Sequence, residues 1–238
     1  MNPFPEYVDP LNLRAGNPKL LPEFIHSLEF GYQVKGKTVR FVPSIYYRYK
    51  YNAFTTVVKP LNDSVLLTTR ENLLNDQSAG LEIILSIKPP KFFSANLSTN
   101  IFYNTIDPGD MEKASKKSIF SASINFNTTI TISPVTMLQL SSNYRSARQT
   151  AQGQSYPSFV FNMGARQELF KKKMTVTATL SDVFSTLQQK TKLNTGYLQQ
   201  ISVNKRDARI FYIGLSYRFG GKTGKKPEEE KIQFDNNL

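Results

Sequence analysis

The sequence predicts an all-β fold: an antiparallel transmembrane β-barrel segment of about nine meandering strands belonging to a larger barrel. Three observations predict it. Apolar and polar residues alternate with period two over most of the chain, the signature of strands with two unlike faces. The polar positions hold Ser, Thr, Asn and Gln far more than Glu and Lys, which suits a wet lumen better than a bulk-exposed surface. The alternating runs are also longer than the common strand of about five or six residues. Crossing a bilayer at a tilt of about 45° takes about 9–11 residues.

The elements follow in order. Residues 1–23 read as an extracellular loop that leads into the wall. The first strand, 24–34, sets Leu28, Phe30 and Tyr32 against Ser27, Glu29 and Gln33. The second, 39–59, sets Phe41, Ile45, Tyr47, Tyr49 and Tyr51 against Arg40, Ser44, Arg48 and Lys50. In the third, 65–87, Leu81, Ile83, Leu85 and Ile87 oppose Gly80, Glu82 and Ser86. The fourth, 92–106, opposes Phe93, Ala95, Leu97, Ile101 and Tyr103 to Ser94, Asn96, Ser98 and Asn100. The fifth, 117–132, continues with Phe120, Ala122, Ile124, Phe126, Ile130 and Ile132 on one side. The sixth is read at 135–148. In the seventh, 156–170, Phe159, Phe161, Met163, Ala165 and Leu169 share a face. The eighth, 173–189, opens with a clean case: Met174, Val176, Ala178 and Leu180 against Thr175, Thr177 and Thr179. The ninth, 198–219, closes with Phe211, Ile213, Leu215, Tyr217 and Phe219 against Tyr212, Gly214, Ser216 and Arg218. Residues 24–219 are thus the barrel strands. Residues 220–238, polar and broken by Gly and Pro, read as a flexible periplasmic tail.

Aromatic spacing supports a membrane. Phe93 and Tyr103 bracket the fourth strand, and ten steps of about 3.3 Å at about 45° cover roughly 23 Å, close to the apolar band of about 25 Å. Trp is absent, so Tyr and Phe supply both girdles. Connections near 35–38, 88–91, 133–134 and 171–173 are short, whereas those near 107–116, 149–155 and 190–197 are longer. That asymmetry separates periplasmic turns from outer loops. The first and ninth strands both then run towards the periplasm. An odd strand count is expected to be completed by strands encoded upstream, since single-chain bacterial barrels have even counts. A soluble β-sandwich also alternates, with its apolar face inward, and is the competing reading.

Composition narrows the function classes. The 238 residues hold 39% hydrophobic and 20% charged residues, which excludes a disordered tail. The longest unbroken apolar run is Ile210–Ile213, so no transmembrane helix is present. No cysteine means no disulfide, thiolate-zinc or thiol chemistry. The net charge of +12 suggests an anionic neighbour. The N-terminus, Met1-Asn-Pro-Phe-Pro-Glu, has neither a basic region nor an apolar core, so an exported protein would not naturally start here.

Asp9-Pro-Leu-Asn-Leu-Arg-Ala-Gly-Asn-Pro-Lys-Leu-Leu-Pro-Glu23, followed by Leu28-Glu-Phe-Gly-Tyr32, resembles the GNPxLxPE segment that enters a barrel strand in TonB-dependent receptors, and looks most like the Bacteroidetes-type outer-membrane β-barrel family. Ala79-Gly-Leu-Glu82, Lys88-Pro-Pro-Lys91, Gly164-Ala-Arg-Gln-Glu-Leu-Phe170, Leu180-Ser-Asp-Val-Phe184 and Leu215-Ser-Tyr-Arg-Phe-Gly220 are further matches, in order, across about residues 3–220. The resemblance implies a C-terminal barrel segment in the outer membrane of a Gram-negative bacterium, with a role in substrate uptake. It implies a barrel of about 22 strands, plugged by an N-terminal domain and energised by the TonB complex. It also implies outer-membrane lipid, the plug, the remaining barrel strands and the barrel-assembly machinery as partners. Plug and TonB-contacting segments are not in this sequence. Phe219 is similar to the terminal aromatic signal read by that machinery, although further residues follow it. A structural or adhesive barrel whose outer loops bind a partner is the alternative.

Little other chemistry is legible. His26 is the single histidine, no G-x-S-x-G surrounds a serine, and no enzyme activity or cofactor is expected. Asp107, Asp110 and Glu112 share one loop but fall short of a calcium site, which needs 6–8 oxygens. The candidate ligand- and lumen-facing residues are Arg40, Arg48, Lys50, Arg145, Arg166 and Arg218, a basic series on the polar faces that could pair with plug carboxylates or line a ligand route. Nucleic acid is not an expected partner, because basic and aromatic residues mostly lie on opposite strand faces. Lys171-Lys-Lys173 sits in a short turn as a solvated or headgroup-facing cluster.

Overall fold

In the computed structural model, which describes residues 5–89, 92–109 and 116–219, nine wall strands form one antiparallel meander. In chain order they are Phe24–Gly31, Val39–Tyr51, Asn75–Ile87, Phe93–Asp107, Lys117–Ser133, Thr136–Arg145, Ser158–Leu169, Met174–Leu180 and Phe211–Tyr217. Each pairs with its sequence neighbours, and Val34–Lys35 adds two pairs to the second. The sheet is open: Phe24–Gly31 forms one edge and Phe211–Tyr217 the other.

The register turns period-two alternation into two continuous faces. One rung crosses Val39, Ile87, Ala95, Thr128, Leu140, Met163, Leu180 and Phe211. Another joins Phe30, Ile45, Leu81, Ile101 and Ala122. Among the described residues no protein layer covers this side: Leu28 is 75% and Leu215 67% exposed. The opposite face carries rungs such as Ser44, Glu82, Asn100, Ser123, Arg145 and Ser158. A soluble sandwich would bury the first face against a second sheet; here it lies bare.

Several strands that the alternation predicts as continuous are broken; the first is interrupted at Tyr32-Gln33. The second and third leave the wall at Asn52-Ala53 and Leu73-Leu74. Their outer parts form a separate hairpin, Phe54–Pro60 with Leu66–Asn72, extended by Asn12–Arg14 and Glu6–Asp9. Asn52 takes a left-handed φ of 53°, which Asn tolerates because its short amide bonds locally. The Nδ2 of Asn72 secures this kink by donating to the Asn52 carbonyl at 2.7 Å. The eighth and ninth strands break at 181–187 and 206–210. Between these lies a second outer hairpin, Gln188–Asn194 with Gln199–Lys205, joined by Gly153–Ser155 and Arg148–Thr150. The sixth strand ends at Arg145 rather than 148, because at the next rung Ala122 N donates to the Ser146 hydroxyl in place of a backbone carbonyl. Residues 1–23, read as a plain loop, supply two of these outer strands within their described part. The predicted tail at 220–238 lies outside the described residues.

Short connections all lie at one end and the elaborated ones at the other. At the short end, Phe170, Lys171 and Lys172 take left-handed φ values of 50°, 55° and 70°, which turns the chain within the 171–173 region.

Candidate interior surface and outer cap

The outer hairpins lean over the polar face rather than away from it. Ala53, Leu73, Ile106 and Ala151 form a small buried cluster, and Ile106 pairs with Asp76 and Lys117 on the polar side of the wall. Above it, the Gln152 side chain accepts from Val58 N at 2.7 Å and donates to Val58 O at 3.0 Å. The Tyr197 hydroxyl donates to the same carbonyl. Val58 belongs to the first outer hairpin, Gln152 to the 146–157 connection and Tyr197 to the tip of the second hairpin. Three outer connections are thereby fastened at one backbone position. Gly153 makes the docking possible, because a Cβ there would land on the Lys192 carbonyl.

The turn that redirects the eighth strand holds itself together. Asp182, 2% exposed, accepts from Thr186 N at 2.9 Å and Leu187 N at 3.1 Å, while its own N–H donates to Asn162 Oδ1 at 2.8 Å. Two residues on, Phe184 turns to the apolar face, 5.5 Å from the Phe161 ring and 6.4 Å from that of Phe159. Leu180-Ser-Asp-Val-Phe184 therefore turns the chain out of the wall, with its carboxylate towards the polar side and its ring towards the apolar side.

Beneath this turn lies a cavity of about 470 Å³, within the usual range of ligand pockets of about 300–1,000 Å³. Its wall side is rich in amides, with Asn125, Asn127, Asn143 and Asn162; its outer side carries Gln188, Arg206 and Asp207. Asn143 donates to Asn125 across the strands. Among the described residues no group of three His, Cys, Asp or Glu could hold a metal. Asp107 instead closes its own turn, accepting from Gly109 N at 3.0 Å, while Asp110 and Glu112 lie outside the described residues. His26 sits opposite Tyr49 on the apolar side, near the start of the first strand.

Arg40, Arg48, Lys50, Arg145 and Arg166 stand in polar rungs of the wall, but they do not form one cluster. Arg40 donates to Gln33 Oε1 at 3.0 Å, Lys50 is 3.7 Å from Asp76, and Arg166 is 3.1 Å from Glu168, which Lys172 also approaches at 3.4 Å. Arg145 lines the cavity. Arg48 stacks on Tyr46, its guanidinium carbon 4.6 Å from the ring centroid. Arg218 lies one residue past the ladder, its N–H donating to Lys173 O at 2.8 Å. Sequence reasoning missed Gln152, Asp182 and Arg148. Only the Asn alternation at 125 and 127, and the Ser-Asp pair at 181–182, left a local trace.

A family model described as outer membrane protein beta-barrel family matches residues 1–217. No curated protein matches the chain. The match assigns the bare apolar face to lipid and the chain to the outer membrane of a Gram-negative bacterium.

Proposed function

The chain belongs to the outer membrane protein beta-barrel family, and we propose that it forms the non-catalytic wall and outer vestibule of an uptake barrel resembling the TonB-dependent receptors. The observation that carries this reading is the capped polar face: the outer hairpins fold over a hydrophilic wall and leave a cavity of about 470 Å³ beneath them. A barrel used only as an anchor has no need of an amide-lined recess under its outer loops. Among the described residues both wall edges have N–H and C=O groups without a strand partner, and each such group costs several kcal/mol in hydrocarbon. In this reading further strands complete the ring, and a plug inside it would meet the basic series. Arg40, Arg48, Lys50, Arg145, Arg166 and Arg218 would then face that plug or the solute. Energy from a TonB complex and insertion by the barrel-assembly machinery belong to the same proposal.

The test compares cells carrying the intact gene with cells lacking it, by profiling solutes removed from the medium. Protein-dependent depletion that stops when the proton-motive force is collapsed is the expected result. Identical depletion in both strains overturns it. The fastening of three outer connections at Val58 favours a second reading, a barrel presenting a rigid outer surface to a partner. Loss of cell attachment without loss of any uptake would select that one.

A further inference from the structure

Tyr46, Gly80, Phe102 and Ser121 form one rung on the polar face. Tyr46 is 7% exposed, and its hydroxyl donates to Asn100 Oδ1 at 3.1 Å. Gly80 separates the two aromatic residues in the ladder. A Cβ on Gly80 would lie 2.7 Å from Tyr46 Cζ and 2.8 Å from Phe102 Cβ. The tyrosine ring therefore lies across the glycine towards Phe102, so two aromatic residues stand side by side on the polar face and form its aromatic floor.

Two guanidinium groups cover this floor. Arg48 lies 4.6 Å from the Tyr46 ring centroid, and Arg148 lies 5.6 Å from that of Phe102. They come from different parts of the chain. Arg48 is in the second wall strand, whereas Arg148 is delivered by the outer connection after the sixth. That connection is pinned to the wall: Ser121, 1% exposed, donates to Ala147 O at 2.7 Å, and Ser146 Oγ accepts from Ala122 N at 2.7 Å. Neither arginine joins an ion pair among the described residues. Glu29 pairs in register with Tyr46, and Glu82 with Asn100 on the same face, yet neither carboxylate bridges to these arginines. Asp76 is committed to Lys50 and to Asn104, whose Nδ2 it accepts at 2.6 Å.

A guanidinium stacked on a ring is partly desolvated and oriented, while its in-plane N–H donors stay available. Such donors match the oxygens of a carboxylate or phosphate. One stacked arginine would pass as packing. Two, brought from separate segments to neighbouring rings, and neither in an ion pair among the described residues, present donors suited to negative charge. We propose that Arg48 and Arg148, on the Tyr46–Gly80–Phe102 floor, form an anion-binding site on the barrel's interior wall for a ligand carrying carboxylate or phosphate groups. The site rests on the polar face lining the barrel, not on uptake, and binding is measured without transport.

The full chain, folded in detergent micelles, is titrated calorimetrically with citrate, with inorganic pyrophosphate and with sucrose as the uncharged control. At least one anion is expected to bind and sucrose is not. Arg48→Gln and Arg148→Gln should each weaken binding about tenfold or more, as loss of a charge-assisted hydrogen bond predicts. Arg→Lys at either position keeps the charge but not the fork and should fall between. Tyr46→Phe keeps the ring and should change affinity by less than about threefold. Citrate-selective binding identifies a carboxylate site and pyrophosphate-selective binding a phosphate site. Two outcomes overturn the proposal: neither anion binds more tightly than sucrose, or both Gln variants retain the β-sheet circular dichroism spectrum and bind the anion as the parent does.

Discussion

Replacing Gly153 with alanine should release the outer cap without touching the wall. A Cβ on Gly153 would overlap the Lys192 carbonyl and lie 2.8 Å from its carbon, so the backbones at 153 and 192 must part. Parting them breaks the short ladder that pairs Gly153, Gln154 and Ser155 with Leu193, Lys192 and Thr191. The flanking bonds from Asn194 N to Gln152 O, 2.7 Å, and from Tyr156 N to Lys190 O, 2.8 Å, belong to the same docking. Once Gln152 is displaced, its paired bonds to Val58 at 2.7 and 3.0 Å go too. Counting these four bonds at roughly 1 kcal/mol net each gives about 2–4 kcal/mol, depending on how many re-form with water. Hydrogen exchange in the outer segments should therefore quicken by roughly 30- to 1,000-fold, while amides in Phe93–Asp107 and Lys117–Ser133 keep their protection. Gln152→Ala should reproduce the part of this change seen at Val58 and add little when combined with Gly153→Ala. Unchanged protection at Val58, Tyr156 and Asn194 in Gly153→Ala would refute the fastening of the cap through this glycine.

Arginine at Val176 or Ile213, on the lipid face, should cost about 2–4 kcal/mol near mid-depth, read from the denaturant midpoint in vesicles. Cysteines at 177 and 213 should differ in labelling by a water-soluble thiol reagent, and equal labelling would sink the two-faced wall. Asp182→Ala removes the acceptor for two backbone N–H groups in a site 2% exposed and should destabilise the exit turn by about 2–3 kcal/mol, whereas a melting curve matching the parent's would contradict the capping role. At the outer hairpin, bonds from Asn12 Nδ2 and Leu11 N hold the Asp9 carboxyl below its ordinary value. A depressed folded value means its contribution is present above the unfolded value, about 3.9, and is lost as the pH falls through the folded one. Exchange protection at Leu11 should drop over that acid range in the parent and not in Asp9→Asn. With Phe24–Gly31 and Phe211–Tyr217 each lacking a partner on one side among the described residues, the chain alone should associate through its edges in detergent, and a monodisperse monomer with a closed hydrogen-bond ring would refute the open wall.

What was legible in the sequence, and what was not, follows from the range of each interaction. A wall strand in a membrane has two solvents, so Met174–Leu180 announces itself through period two alone, and nine strands could be placed in order. Register then follows, because a slip by one residue would move Val176 and Leu215 to the wet side together. Kinks leave a weaker mark. Asn52 bends the chain through one left-handed residue and the 181–187 turn through two, Asp182 and Ser185, and apolar residues recur beyond both bends, so the pattern reads as one strand. The basic series shows the same limit from the other side. Alternation places Lys50 on the polar face, but only the pairing of Lys50 with Asp76 across the ladder shows that its charge is already met. Arg48, two residues earlier and equally basic, stacks on Tyr46 because Gly80 on the next strand leaves room for the ring. No window on the second strand contains that glycine. The outer cap is less legible still, for Gln152 bonds to a backbone 94 positions away, and nothing in Ala151-Gln-Gly153 distinguishes it from an ordinary loop. Function in such a wall therefore hides in side-chain partners set by register, while the fold lies open in the alternation that sets the register.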